Sequence, residues 1–141
     1  MEIYTAEKRN MVFFYRRGEA VSISGTAAYT TKRKGRGYSV CAMAGFVNLP
    51  VSSEEMKKML DSMHRRGPDG QGAFRAEGCT LLHARLSIID PAGGKQPMQL
   101  SFAGEEYTIV YNGEIYNTAE VRHALEKEGH CFEGYSDTEV V

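Results

Sequence analysis

The chain has 141 residues, 42% of them hydrophobic and 25% charged, the size and balance of one globular domain, which excludes wholesale disorder. Its net charge of −1 divides unevenly: residues 1–40 hold eight Lys/Arg against three Glu, and residues 41–141 hold nine basic against fifteen acidic side chains. No apolar run nears the roughly 20 residues that span a bilayer, and MVFFY (11–15) falls short of a signal-peptide core of about 7–15 residues, so no membrane partner and a cytoplasmic setting are expected.

In chain order, residues 1–40 keep no period of 2 or 3.6, and AVSISGTAAYTTKRKGRG reads as loose and polar. TKRKGRG lacks ordered aromatic interleaving, so it reads as a solvated charge run and no nucleic-acid partner is expected. CAMAGFV predicts a buried strand. In SSEE, Ser52 and Glu55 form a candidate capping box, followed by Met56, Met59, Leu60 and Met63 on one helical face. RRGPDGQG (65–72) is turn-rich. FRAEGCTLLHARLSII (74–89) predicts a hairpin around Glu77-Gly78, and MQLSFAGEEYTIVYN (98–112) predicts two more strands joined through AGEE. Asn117 is positioned to cap a helix over 118–128, with Val121, Ala124 and Leu125 inward and Gly129 at its end. HCFEGY (130–135) predicts a short strand, and SDTE (136–139) a capping box whose helix the chain cuts short at Val141, as in a fragment of a domain. Several adjacent strands between helices predict an antiparallel α+β layered fold.

The three cysteines, Cys41, Cys79 and Cys131, are odd in number and widely spaced, which argues against a disulfide framework. With His83 and His130, the spacings of Cys79 and Cys131 match no standard zinc pattern, so no metal site is expected. Polar groups concentrate beside turns and strand ends in Cys41, HRRGPDG (64–70), HARLSIID (83–90), YNGEIYN (111–117) and YSDTE (135–139). Each alone is ordinary. Arg85 could be a surface ion pair, Asn112-Gly113 is a common tight-turn dipeptide, and Asp137 could simply support a cap.

Taken in order, HRRGPDG, RLSIID-PAGGKQPM, IVYNGEIYN and SDTEVV resemble the glutaminase domain of class II glutamine amidotransferases, in the asparagine synthetase branch of the N-terminal-nucleophile hydrolases. The resemblance runs from Cys41 to Val141. The sibling branch that makes glucosamine phosphate carries a Trp-containing Arg motif, and this chain has no Trp. The resemblance implies an αββα sandwich of antiparallel sheets, here truncated. It implies that Cys41 attacks the side-chain amide of L-glutamine, forming a thioester and releasing ammonia, with the cysteine's own α-amino group as base. Asn112 and Gly113 would supply the oxyanion hole. Arg85 would grip the α-carboxylate as a bidentate fork, Glu114 and Asp137 would receive the α-ammonium, and the backbone of Leu86, Ser87, Ile88 and Ile89 would line the pocket. HRRGPDG would be a rigid loop shaping that pocket, with His64 and Arg65 structural. No cofactor is implied for this part. ATP and magnesium belong to a C-terminal synthetase domain, the partner that would amidate aspartate, and the full-length protein is a candidate homodimer.

A mid-chain nitrogen carries no basic lone pair, so the resemblance requires Cys41 to become residue one. The first 40 residues then read as a propeptide, as a targeting segment (against which Glu2, Glu7 and Glu19 count), or as an extension upstream of a true start at codon 40, where a valine codon read as Met would precede Cys41. Ala42-Met43 departs from the family's usual Gly-Ile. The competing expectations are a decayed, non-catalytic module and the glutaminase of an amidotransferase with a different acceptor.

Overall fold

The computed structural model describes residues 11–16, 19–22, 41–87, 94–113 and 115–141. Its elements are β1 (Met11–Arg16), β2 (Glu19–Ser22), β3 (Ala42–Val47), α1 (Ser53–Met63), β4 (Gly70–Ala76), β5 (Cys79–Arg85), β6 (Met98–Phe102), β7 (Glu105–Asn112) and α2 (Thr118–Lys127), closed by a 3-10 turn over Asp137–Val140. The strands form two antiparallel sheets, in the orders β2-β1-β7-β6 and β3-β5-β4. The expected antiparallel α+β class is therefore present.

β5 explains why CTLLHAR has no polar alternation: all seven residues are buried. It is the centre of its sheet, and alternate side chains of a strand point to opposite faces. Cys79 and Leu81 meet Tyr15 and Val110 of the other sheet, with Met43, Phe74 and Ala76 packed around them. The rings of Tyr15 and Phe74 lie 5.3 Å apart, centroid to centroid. α1 packs against β5. Burying each Leu, Val or Phe of this kind contributes about 1.5–3 kcal/mol, so the two-sheet layer is the main source of cohesion.

α1 begins as the sequence predicts. Ser52 and Glu55 make the reciprocal capping box, with Ser52 N–H donating to Glu55 at 2.8 Å, while Met56, Met59, Leu60 and Met63 form the half-buried stripe. Both predicted hairpins form. β4 starts at Gly70, inside the stretch read as turn, and β6 joins β7 through Ala103 and Gly104 with φ of 52° and 80°, the turn twist that suits paired strands.

Four readings are corrected. Residues 11–16 and 19–22, in a leader read as having no strand or helix period, are strands: β1 pairs with β7 from Met11↔Asn112 to Arg16↔Tyr107. Residues 130–135 form no strand. Phe132 instead lies beneath the Arg122 guanidinium at 4.3 Å, and the Glu133 and Gly134 amides donate to the Glu139 carboxylate at 3.2 and 3.0 Å. That carboxylate also pairs with Arg122 at 3.3 Å, so these amides have local partners rather than a ladder. At the chain's end Ser136 does cap, accepting from Thr138 N–H at 3.2 Å, but Glu139 faces residues 133–134 and the capping box is half made. In α2, Asn117 sits at the cap without a side-chain bond, and Ala124 is exposed while Val121 and Leu125 are half-buried.

Candidate active site

Antiparallel pairing of β3 with β5 sets the start of one beside the end of the other. Cys41, one residue before β3, therefore meets Leu86, one residue after β5. The Leu86 amide donates to Cys41 Sγ at 3.3 Å, and the thiol points back at the Leu86 carbonyl at 3.6 Å. From the second sheet, Asn112 at the end of β7 donates through Nδ2 to the Cys41 carbonyl at 3.0 Å. Three strand ends thus converge on one half-buried cysteine at the rim of the two sheets. The second N–H of the Asn112 amide is a further donor at the same place.

Arg85, the last residue of β5, is 9% exposed. Its backbone and that of its neighbours is held by the RRGPDG loop. The Asp69 amide donates to the Arg85 carbonyl at 3.0 Å, and the Asp69 carboxylate accepts from the Ser87 amide at 2.7 Å. Gly67 allows the loop to press against this strand: a Cβ there would fall 2.1 Å from the Ala84 carbonyl carbon. Residues 64–69 form turns between α1 and β4, and His64 and Arg65 are exposed there. The residues that brace the backbone are Gly67 and Asp69.

Of the expected site residues, Cys41, Arg85, Leu86, Ser87, Asn112 and Gly113 gather at this rim. Asp137 begins the 3-10 turn, which is linked to the end of β7 through Gln96 (Nε2 to Thr138 Oγ1, 3.1 Å; Oε1 to the Tyr111 amide, 2.6 Å). Ile88, Ile89 and Glu114 lie outside the described residues. Sequence reasoning missed Asp69 and Gln96. Each sits beside a proline in a breaker cluster, and only the Pro-Asp turn chemistry of the first hinted at an anchoring role.

Beneath the rim, His83 shares the face of Arg85 and Leu81 and is 1% exposed. Burial first, and the Arg85 charge second, push its pKa down from 6.5 to about 4, against a weaker upward pull from the Tyr111 backbone. That backbone is not in hydrogen-bonding geometry, since neither ring nitrogen has a partner among the described residues. The imidazole is therefore neutral near pH 7. Among the described residues no three His, Cys, Asp or Glu side chains are arranged to hold a metal, and no helix is long and apolar enough to cross a membrane. An open groove of about 780 Å³, lined by residues including Asn48, Ser52, Arg75 and Thr80, lies at the opposite end of β3 and β5 and contains none of the rim residues.

Comparison with known proteins fits this arrangement. The family described as "Glutamine amidotransferase domain" matches residues 40–141. The chain is 40% identical over 106 residues to asparagine synthetase [glutamine-hydrolyzing] 3 of Bacillus subtilis, covering 72% of this chain and 17% of that protein. It is 43% identical over 108 residues to asparagine synthetase [glutamine-hydrolyzing] 1 of the same organism, covering 70% and 17%. Against the asparagine synthetase [glutamine-hydrolyzing] of Zea mays it is 36% identical over 105 residues, covering 72% and 17%. The chain thus spans about a sixth of the length of these relatives, at 17%. The match extends over the whole acidic part of the sequence, and the ordered motifs and the converging strand ends fall within it: the chain belongs to the glutamine amidotransferase domain family.

Proposed function

We propose that residues 41–141 hydrolyse the side-chain amide of L-glutamine in an αββα sandwich of the N-terminal-nucleophile type. The Cys41 thiol adds to the amide carbon, its proton passing to the cysteine's own α-amine. Ammonia leaves with that proton, and water then cleaves the thioester to glutamate. An α-amine titrates at about 7.7–8.0, so a usable neutral fraction exists near pH 7. Asn112 Nδ2 and the Gly113 amide stabilise the oxyanion, where losing one donor typically costs about 2.7–4 kcal/mol. Arg85 binds the α-carboxylate, Glu114 and Asp137 take the α-ammonium, and the 86–89 backbone lines the cleft. The observation that carries this reading is the meeting of Cys41 Sγ, the Leu86 backbone and the Asn112 amide at one rim.

While Cys41 is peptide-bonded to Val40, its nitrogen cannot take the proton, so the reaction requires that bond to be absent. The names of the relatives support asparagine formation as the destination of the ammonia, in a downstream domain that would activate aspartate with ATP and magnesium. No residue described above is assigned to those groups. The three free thiols suit a reducing cytoplasm. The test is glutamate and ammonia release from glutamine by protein whose first residue is Cys41. Activity that disappears in Cys41→Ala supports the reading. Turnover by protein with residue 41 still blocked refutes the amine as base, and inactivity in the presence of the downstream sequence favours a non-catalytic module.

A further inference from the structure

Gln96 is the one side chain described above that joins the end of β7, beside Asn112, to the turn that carries Asp137. It sits in the PAGGKQPM motif, which none of the assigned roles uses. Its carbonyl oxygen accepts from the Tyr111 amide at 2.6 Å, one residue before Asn112. Its amide nitrogen donates to Thr138 Oγ1 at 3.1 Å, one residue after Asp137. A primary amide carries an acceptor and a donor on a rigid plane about two ångströms apart, so both ends can be used at once only at one separation of the two elements. The Gln96 backbone is pinned as well. Its carbonyl oxygen lies where a Cβ on Gly72 would be, at 2.0 Å, so a bare position in β4 is what admits it. Thr138 is 4% exposed, and replacing its hydroxyl would leave the Gln96 donor facing a methyl group. A buried donor without a partner is costly, which makes the strut stiff rather than incidental.

We propose that Gln96 is a positioning residue that sets the distance between the strand end bearing the oxyanion donors and the turn bearing Asp137, and so determines selectivity for an amide substrate with a free α-ammonium group. This rests on the glutamine reading of the site. The strut touches neither the thiol nor the Arg85 segment, so loosening it moves the ammonium receptor and leaves carboxylate binding and thiol reactivity in place.

The test measures equilibrium binding by calorimetry to the full 141-residue chain, which needs no turnover. The two ligands are L-glutamine and 5-amino-5-oxopentanoate, the same molecule without its α-amino group. The parent is expected to bind glutamine more tightly. Thr138→Val is expected to weaken glutamine binding about tenfold, leave 5-amino-5-oxopentanoate unchanged, and so erase most of the preference, while Thr138→Ser, which keeps the hydroxyl, restores it. Gln96→Met, which removes both ends of the strut, should lose the preference too. Melting curves for each variant confirm a folded chain. Equal losses for both ligands, or an unchanged preference in Thr138→Val or Gln96→Met, overturn the strut. A parent that binds neither ligand overturns the glutamine reading itself, and the strut with it.

Discussion

Acid should attack this protein through His83. The side chain is 1% exposed, next to Arg85, with a pKa near 4 in place of 6.5. The unfolded chain therefore binds this proton more readily than the folded one. The neutral imidazole imposes no penalty above pH 6.5; stability falls as pH drops through 6.5 and the loss is complete below about 4. A gap of about 2.5 units at 1.36 kcal/mol per unit is roughly 3 kcal/mol, a sizeable part of the 5–15 kcal/mol typical of a domain. The assay is urea unfolding of the parent and of His83→Leu at half-unit steps from pH 7.5 to 3.5. Leu has similar bulk, cannot titrate and removes two nitrogens that have no partner among the described residues. The difference between the two curves should grow towards the parent's disadvantage by about 3 kcal/mol across that window. Parallel curves would show that the imidazole is either not desolvated or not neutral in the fold, and the reasoning would fail.

Asp69→Ala removes the acceptor of the Ser87 amide at 2.7 Å; the loss should be about 1.5–3 kcal/mol, as for a hydrogen bond to a charged group, with faster hydrogen exchange at Ser87 and unchanged protection in α1. Gly72→Ala puts a Cβ 2.0 Å from the Gln96 carbonyl oxygen, so thermal unfolding should show a loss of about 1–3 kcal/mol from overpacking. Tyr15→Ala empties a core position packed on Phe74 and should cost about 3–5 kcal/mol in chemical denaturation; a loss under 1 kcal/mol would mean that β1 contributes little to the fold. Ser52→Ala should cost about 0.5–2 kcal/mol, visible as earlier loss of helical circular dichroism on heating, because the Glu55 amide loses its hydroxyl acceptor and only the bond from the residue 52 backbone N–H to the Glu55 carboxylate remains.

The parts legible in the sequence are those encoded over three to eight residues. The Ser52–Glu55 pair marks a helix start because its two bonds join residues three apart. The Glu77-Gly78 and Ala103-Gly104 turns stand out because backbone geometry restricts what can occupy them. What failed were inferences from residue type without a partner in view. HCFEGY has strand-forming aromatics, but Glu139 takes its amides. MVFFYR looked like a short apolar run in a polar leader, and its ladder partner lies far along the chain in β7, with Met11 opposite Asn112 and Arg16 opposite Tyr107. The site shows the same division. Cys41, Arg85 and Asn112 could be named because the motifs that carry them resemble, in order, those of a known family, and the structure brings the three strand ends together. Asp69 and Gln96 hold backbone across 18 and 15 residues, and no local pattern reports such a span.

The pairing of β1 along β7 bears on how the thiol's amine could be uncovered. Opening the peptide bond before Cys41 would separate the polypeptide into two strands of covalent chain but not into two bodies. Tyr15 would still be wedged in the shared interior, and the Met11–Arg16 backbone would still be bonded to the Asn112–Tyr107 ladder. The Met11–Arg16 strand would stay as a separate chain along β7, up to its Asn112 end. Synthesis beginning at Cys41 would instead leave that flank of β7 bare, with a row of main-chain donors and acceptors open to whatever strand came to cover it.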